Sequence, residues 1–313
     1  MSEKFKEKRR FIREVERMAL KRRTFEDIVL DTIIYLSLII IFIVTFYPFY
    51  LSLILSLNEG MDATRGGIYF WPRKFTLDNY KRFFSDSRWL NAFFITTIRT
   101  ITGTILTVFV TSMVAYALSF RRLVGRKVYI TIIIISMYFS GGIIPYYVIL
   151  RTFKLLDTFW VYIIPGCLNL FFVLVAISFF QGIPEELHES ALIDGANDIR
   201  VLVSIVFPLS TPLLATIAIF TAVGHWNAWF DSAFFIKSNN LRTLGYMMIS
   251  VINKANLPTG ASAANLQSVG NITTTAMSVQ LAAMIIAVAP ILVIYPFLQR
   301  YFVAGLTIGS VKG

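Results

Sequence analysis

Long apolar runs, separated by polar connections of unequal length, dominate the chain from residue 31 onward. Six stretches hold about the 20 mostly apolar residues that a helix needs to cross a ~30 Å hydrocarbon layer: approximately Ile33 to Leu57, Phe93 to Phe120, Val128 to Leu150, Phe159 to Phe180, Pro212 to Phe235 and Met277 to Leu298. Each run is continuous rather than alternating over ten residues, which selects helices over barrel strands. The pattern therefore predicts an all-α polytopic membrane protein with six transmembrane helices over residues 31–313, behind a polar segment at residues 1–30. The first run starts too late and extends too far for a signal-peptide core, and no A-x-A-like site follows it, so it is expected to stay in the mature chain.

Composition agrees with the pattern. Hydrophobic residues make up 56% of the chain and charged residues 15%, with a mean hydropathy of +0.68, too little polar surface to coat a soluble globule of this size. The net charge of +11 raises the question of nucleic acid, but its distribution answers it. KFKEKRRFIREVERMALKRR near the amino terminus and RRLVGRK at Arg121 to Lys127 hold the densest clusters of basic residues, nearly half of the total, and both flank apolar runs. The positive-inside rule makes both cytoplasmic, and six crossings then place both termini inside. The amino-terminal stretch also suits an amphipathic helix on the anionic inner leaflet, where basic residues contribute roughly 1 kcal/mol each. Cys167 is the single cysteine and lies in an apolar run, so neither an internal disulfide nor a cysteine metal cluster is available.

With that orientation residues 58–91 and 237–276 become long outer loops, Arg151 to Thr158 a short one, and Arg121 to Lys127 and residues 181–211 the inner connections. GGIYFWPRKFTLDNYKRFF has charges and aromatics enough to fold locally, whereas NLPTGASAANLQSVGNITTTA reads as a flexible reach toward a partner or as a plain spacer. Its Asn271-Ile272-Thr273 triplet is a formal glycosylation acceptor, too frequent by chance to carry weight.

The 181–211 loop carries helix punctuation twice. Pro184 suits a helix start, and Glu185 and Glu186 favour the positive end of its dipole. Gly195 offers the left-handed position that ends a helix, Asn197 or Asp198 can cap the next, and IRVLVSIVF should run as a second short helix to a break near Pro208. Two short helices about a glycine turn at the cytoplasmic membrane face make a protrusion that a soluble partner can grip.

That loop, PEELHESALIDGANDIRVLVSIVFPLS, resembles the EAA loop of binding-protein-dependent ABC importer permeases through Glu189, Ser190, Ala191, Asp194, Gly195, Ala196, Ile205 and Pro208, with Ser190 where a second alanine is common. AYALSFRRLVGR at Ala115 to Arg126, IIPYYVILRTFKLLDT at Ile143 to Thr158, GHWNAWFDSAFF at Gly224 to Phe235 and the tail RYFVAGLTIGSVKG extend the likeness to the carbohydrate-type subfamily, similar to the second membrane subunit of maltose and other oligosaccharide importers. The first thirty residues match least. The resemblance implies a type I importer permease fold in a bacterial cytoplasmic membrane. It also implies a sister permease, two ATPase subunits that carry ATP and magnesium, and an extracytoplasmic sugar-binding protein. This chain would need no cofactor or metal and would not be an enzyme; no G-x-x-x-x-G-K-[ST] loop contradicts that. The first short helix of such a loop sits in a cleft on the ATPase and transmits its closure to the spans. The resemblance thus gives Glu189, Ala191, Asp194, Gly195 and Pro208 the ATPase-coupling role. Reversing an inward–outward equilibrium from 1:99 to 99:1 takes about 5.5 kcal/mol, more than a few helix contacts supply unless ATP and loaded binding protein bias the same states.

Substrate contacts are less specific. Arg99 falls within the second run, where a charge costs roughly 2.5–3.5 kcal/mol, so it must face protein, water or an interface; contact with an acidic sugar and snorkelling to the outer surface both fit. His225, Trp226, Asn227, Trp229 and Asp231 cluster near the outer end of the fifth run, and such amide and aromatic groups suit sugar hydroxyls and ring faces or an interfacial belt. Arg99, Trp226, Asn227 and Asp231 are the candidate substrate-path residues. An intramembrane hydrolase would need a base beside a nucleophile, and His188 lies in the inner loop instead. A secondary transporter would show internal repeats and buried coupling charges, and the run interiors are nearly free of charge apart from Arg99. A permease for a non-sugar solute is the nearest alternative.

Overall fold

The computed structural model describes residues 25–139, 141–255 and 274–310, with side chains described as far as residue 293 apart from three near the end of the second stretch. The basic amino-terminal stretch through residue 24, residues 256–273 of the long connection with the Asn271 triplet, and residues 311–313 of the tail lie outside the described residues. The chain divides into two compact units, Met1–Ile54 and Leu55–Gly313. The described part of the first is one helix, α1 (Phe25–Ser56), whose 32 residues would extend roughly 48 Å. Apart from Ile54 near its end, its apolar side chains are exposed or half-buried, and no residue of its most apolar 18-residue window is buried. A helix apolar on every face suits lipid rather than water as its surroundings.

The second unit contains α2 (Gly60–Ala63), α3 (Asp78–Ser85), α4 (Ser87–Ser119), α5 (Arg126–Tyr138), α6 (Ile143–Thr152), α7 (Leu170–Phe180), α8 (Glu185–Ile193), α9 (Asp198–Leu209), α10 (Thr211–Asn227), α11 (Phe230–Phe235), α12 (Leu244–Ala255) and α13 (Ala276–Ser310). Among the described residues no strand forms, and Asn58 and Phe75 make an isolated antiparallel bridge.

α4 organises this unit, packing chiefly on α10 and α7. Its buried stripe is Ala92, Thr96, Arg99, Gly103, Thr107, Thr111, Ala115 and Leu118, spaced three or four apart and mostly small or hydroxylic. Its outward face carries Phe94, Ile101, Ile105 and Met113, all exposed. Small residues inside and bulky apolar ones outside are the arrangement expected where lipid is the solvent, because helices then associate by close backbone approach and not by excluding water. Toward the end of α4 at Ser119, Ala115 and Tyr116 join Phe172, Val173, Ile177 and Phe180 of α7 and Leu213 and Ile217 of α10 in one apolar cluster. Toward its start, Trp89 packs with Phe83, Leu244, Val279 and Ala283.

Three of the predicted spans are interrupted where the hydropathy pattern reads straight through. The run Val128 to Leu150 is two helices, α5 and α6, parted at Phe139 to Gly142. The run Phe159 to Phe180 is 3-10 helical over Phe159–Gly166, then bends by 45° into α7, which Asn169 caps by accepting from the Phe172 amide at 3.1 Å. The run Pro212 to Phe235 ends its first helix at Asn227, and Ala228 takes an extended conformation before α11. By length and composition, three described helices are able to cross a membrane (α1, α4 and Ala276–Val293), or up to five segments if each bent pair counts as one.

The segment after α1 folds locally, as its composition suggests. Buried Asn58 donates to Asp62 (3.1 Å) and accepts from the Lys74 amide (2.7 Å). Buried Asn79 donates to the carbonyls of Ser56 (2.8 Å) and Asn58 (2.9 Å) and accepts from Ser278 Oγ (2.7 Å) at the start of α13. Asn58 beside it, and then Arg73, hold the Asp62 carboxyl below the usual carboxylate range against its desolvation.

Candidate functional site

The 181–211 loop is a helical hairpin. α8 begins after Pro184 with Glu185 and Glu186 in its first turn, where the dipole favours carboxylates. It ends on Gly195, whose φ of +80° lies in the left-handed region that costs residues with a Cβ roughly 1–2 kcal/mol. The Ala196 amide bonds the Ala191 carbonyl at 2.9 Å and the Gly195 amide that of Leu192 at 3.0 Å, the paired bonds of a Schellman cap. Asn197 then caps α9, accepting from the Arg200 amide at 2.8 Å. Residues Leu202–Val206 widen into a π-helical turn just before Pro208, which has no amide hydrogen to give and whose ring would crowd a regular ladder. At Ser210 the chain turns by 89° into α10.

This geometry sorts the predicted coupling residues. Ala191 is 7% exposed and anchors α8 in the cluster beneath it, while Glu189, Asp194 and Gly195 face outward. Asp194 sits at the carboxyl end of α8, where the dipole disfavours a carboxylate, so capping of its own helix does not account for it. The same outer surface carries exposed Leu192, Ile193 and Ile199, with Ile193 87% exposed. Apolar side chains beside carboxylates on a projecting hairpin form a surface suited to docking.

His188 was not marked by the sequence reading as part of this apparatus. It points back toward the spans: its Nδ1 lies 2.9 Å from the Tyr116 hydroxyl on α4, and its ring packs 4.9 Å from that of Phe120. Its Nε2 is 3.8 Å from Asp198. His188, Tyr116 and Phe120 border a 520 Å³ cavity that extends to Gln181 and Pro184.

The substrate-path candidates divide. Arg99 is 2% exposed, so it neither snorkels nor faces an opening. Its guanidinium pairs with Asp231 of α11, donates to the Ala228 carbonyl at 3.3 Å and lies 4.4 Å above the Tyr162 ring. The same region ties Leu244 to α4 through Thr96 Oγ1 (2.9 Å) and Tyr162 to the Leu241 carbonyl (2.6 Å). Asp157 accepts from the amides of Lys237 and Ser238 and from Ser238 Oγ, each at 2.8 Å, and those bonds, with Ser238 foremost, hold its carboxyl below the usual range. Trp226 donates its indole hydrogen to the Ala287 carbonyl of α13 at 3.0 Å and packs edge-on to Phe93, which spends its polar edge on helix packing. Asn227 is exposed at the end of α10.

A second cavity, of 430 Å³, opens at mid-length of α4 and was not foreseen. It is lined by Thr107, Gly166, Asn169, Phe171, Phe172, Phe220, Thr221, Gly224 and His225. Backbone freed by the Gly166–Asn169 break meets α4 here: Thr107 donates to the Gly166 carbonyl at 3.3 Å, and the Asn169 amide donates to Thr111 Oγ1 at 3.1 Å. Thr221 Oγ1 is buried without a hydrogen-bond partner among the described residues. The His225 imidazole lies against Gly103 so closely that a Cβ there would collide with it. Irregular backbone at membrane depth is tolerated where it is buried in protein or lines a water-filled cavity.

Comparison with known proteins places this architecture. The sequence model of a family described as "Binding-protein-dependent transport system inner membrane component" matches residues 128–308. Protein LplC of Bacillus subtilis (strain 168) is 36% identical over 86% of this chain and 90% of its own length. The polygalacturonan/rhamnogalacturonan transport system permease protein YtcP of the same organism is 30% identical over 94% of this chain and 100% of its own, and its maltodextrin transport system permease protein MdxG 29% over 89% and 95%. Among solved structures, a chain of a bacterial ABC transporter involved in the import of the acidic polysaccharide alginate superposes with a TM-score of 0.81, covering 90% of this chain and 99% of that one at 24% identity. At that identity the likeness speaks for the fold.

Proposed function

The chain belongs to the family of binding-protein-dependent transport system inner membrane components, and on that premise we propose that it is one of two permease subunits of an ATP-driven carbohydrate importer. The observation that carries the reading is the hairpin of α8, Gly195 and α9, turned by 89° into α10: a capped element with an exposed outer face, joined directly to an apolar helix. Glu189, Asp194 and the exposed apolar residues around them meet a cytoplasmic ATPase; Ala191, Gly195 and Pro208 give the hairpin its shape. ATP and magnesium reside on that partner, and a sister permease and an extracytoplasmic binding protein complete the complex. Carbohydrate as the substrate class rests on what the permeases YtcP and MdxG are named for. A non-sugar solute is the second reading.

The reading includes six crossings, with residues 126–152 as the third span despite its break, both termini inside, and residues 58–91 and 237–276 outside. Residues 31–313 form the permease domain, and the basic segment 1–30 lies at the inner leaflet. The substrate path runs along the 430 Å³ cavity, where Asn169, Thr221 and His225 offer hydrogen-bonding groups among Phe171, Phe172 and Phe220. Arg99 and Asp231 act on the path from outside its lining, by holding α11 against α4, and Asn227 lies at its outer end.

The test is purification of this chain from its native membrane in mild detergent, with mass spectrometry of what stays bound. A second permease, an ATPase and a binding protein are expected. The chain alone, transporting in liposomes without ATP, would sink the proposal in favour of a secondary transporter.

A further inference from the structure

We infer that the Tyr116–His188 contact is a positioning link that passes movement of α8 directly to α4, and that α4 carries it as a rigid rod to the Arg99–Asp231 junction. This inference rests on the coupling role proposed for α8.

α8 has nine residues, too few to hold a helix unaided, so a load on it leaves through its anchors. Two side chains supply them: Ala191, buried beneath the hairpin, and His188, 19% exposed, which reaches Tyr116 at 2.9 Å and rests on Phe120. Tyr116 is itself buried one turn from the end of α4. The end of that helix is held further, since Arg126 Nε donates to the Leu118 carbonyl at 2.7 Å and Gln181 to that of Ser119 at 3.2 Å. Through His188, force entering α8 therefore reaches α4 directly, beside the share that Ala191 and the 181–184 connection pass to the cluster around α7. The contact from His188 to Asp198 is beyond hydrogen-bond reach and its carboxylate is 73% exposed, so it contributes little.

The other way out of the hairpin, α9 into α10, crosses a π-helical turn, Pro208 and an 89° corner, each a place where bending is absorbed. α4 has no such place. It runs unbroken and without proline from Ser87 to Ser119. From Tyr116 to Arg99 is roughly 25 Å along its axis at 1.5 Å per residue. There Arg99 grips Asp231 and, one turn on, Thr96 grips the Leu244 amide, so a shift of α4 must carry the 231–244 segment with it.

The test uses the copurified complex with Cys167→Ser and a reporter cysteine at Lys237→Cys, labelled by a membrane-impermeant maleimide before and after Mg-ATP with orthovanadate. With His188 intact, the nucleotide is expected to change the labelling rate. His188→Leu and Tyr116→Phe should each reduce that change about fivefold, the factor that one hydrogen bond is worth, with the ATPase still bound in full. The two substitutions together should do no more than either alone. His188→Asn, which keeps a polar atom near the Nδ1 position, should restore most of the change, and His188→Gln, which keeps one near Nε2, should not. An unaltered response in His188→Leu overturns the inference, as does rescue by Gln where Asn fails. A complex with no ATPase bound before any substitution in this link overturns the functional reading and takes the link with it.

Discussion

A charge buried in a membrane span is stable only with its counterion in place, because removing one partner strands the other in a medium that cannot solvate it. Arg99 and Asp231 stand in that relation. Asp231→Ala should cost a few kcal/mol, below the ~3–5 of a fully buried pair because Asp231 is 27% exposed, whereas Arg99→Met with Asp231→Leu should recover most of the loss. Thermal unfolding of the purified complex checks this, and equal loss in the single and double variants would deny the pairing. Gly103 presents the opposite constraint, a place where no side chain fits. Gly103→Ala must push His225 aside, so stability should fall by about 1–3 kcal/mol while uptake drops, and His225→Ser should restore uptake; a Gly103→Ala chain with normal uptake would show that the cavity is not on the path. The sequence marked Arg99 as anomalous because a lone cation in an apolar run has no cheap explanation. Its partner was present among the candidates but unpaired, since they are 132 positions apart and nothing local links them. His188 escaped for another reason: a histidine in a polar loop looks ordinary until the loop folds back on Tyr116.

At the scale of elements, the boundaries that could be read were those set by local chemistry. Pro184, Gly195 and Asn197 mark the starts and stops of α8 and α9 as expected, because caps act within one turn. The breaks near Gly142, Asn169 and Ala228 were invisible to hydropathy, which averages over twenty residues and passes over three or four whose backbone turns aside. Gly195→Ala should strain the α8–α9 corner by roughly 1–2 kcal/mol. Membrane insertion should be unaffected while ATPase capture in a pull-down weakens several-fold; undiminished capture would mean that the corner is not the docking element. The segments around Asp62 and Asp157 carry carboxylates held below their ordinary pKa by hydrogen bonds. A depressed folded-state pKa contributes stability that is present above the unfolded value of about 4 and is lost as pH falls through the folded one. The melting temperature should therefore decline below about pH 4, and Asp157→Asn should lower it at neutral pH and flatten the decline; parallel curves for variant and parent would contradict the assignment.

For the whole molecule, the proposed topology predicts opposite accessibilities for two surface positions. In a Cys167→Ser background, Lys154→Cys should react with an impermeant maleimide from outside in intact cells, and Ile193→Cys only after permeabilisation; the reverse pattern would invert the topology. The family relationship was legible because the 181–211 loop is a contiguous string, while the arrangement that serves it is assembled from distant parts of the chain. That distance has a consequence for biosynthesis. At about 5–20 residues per second, the ribosome reaches Asp231 roughly 7–26 s after Arg99. Through most of that interval α4 has neither its counterion nor α10 against its face of glycine and threonine. The nascent chain must be sheltered at the insertion machinery until the second half arrives, and a chain truncated before Asp231 should be recognised as defective and degraded.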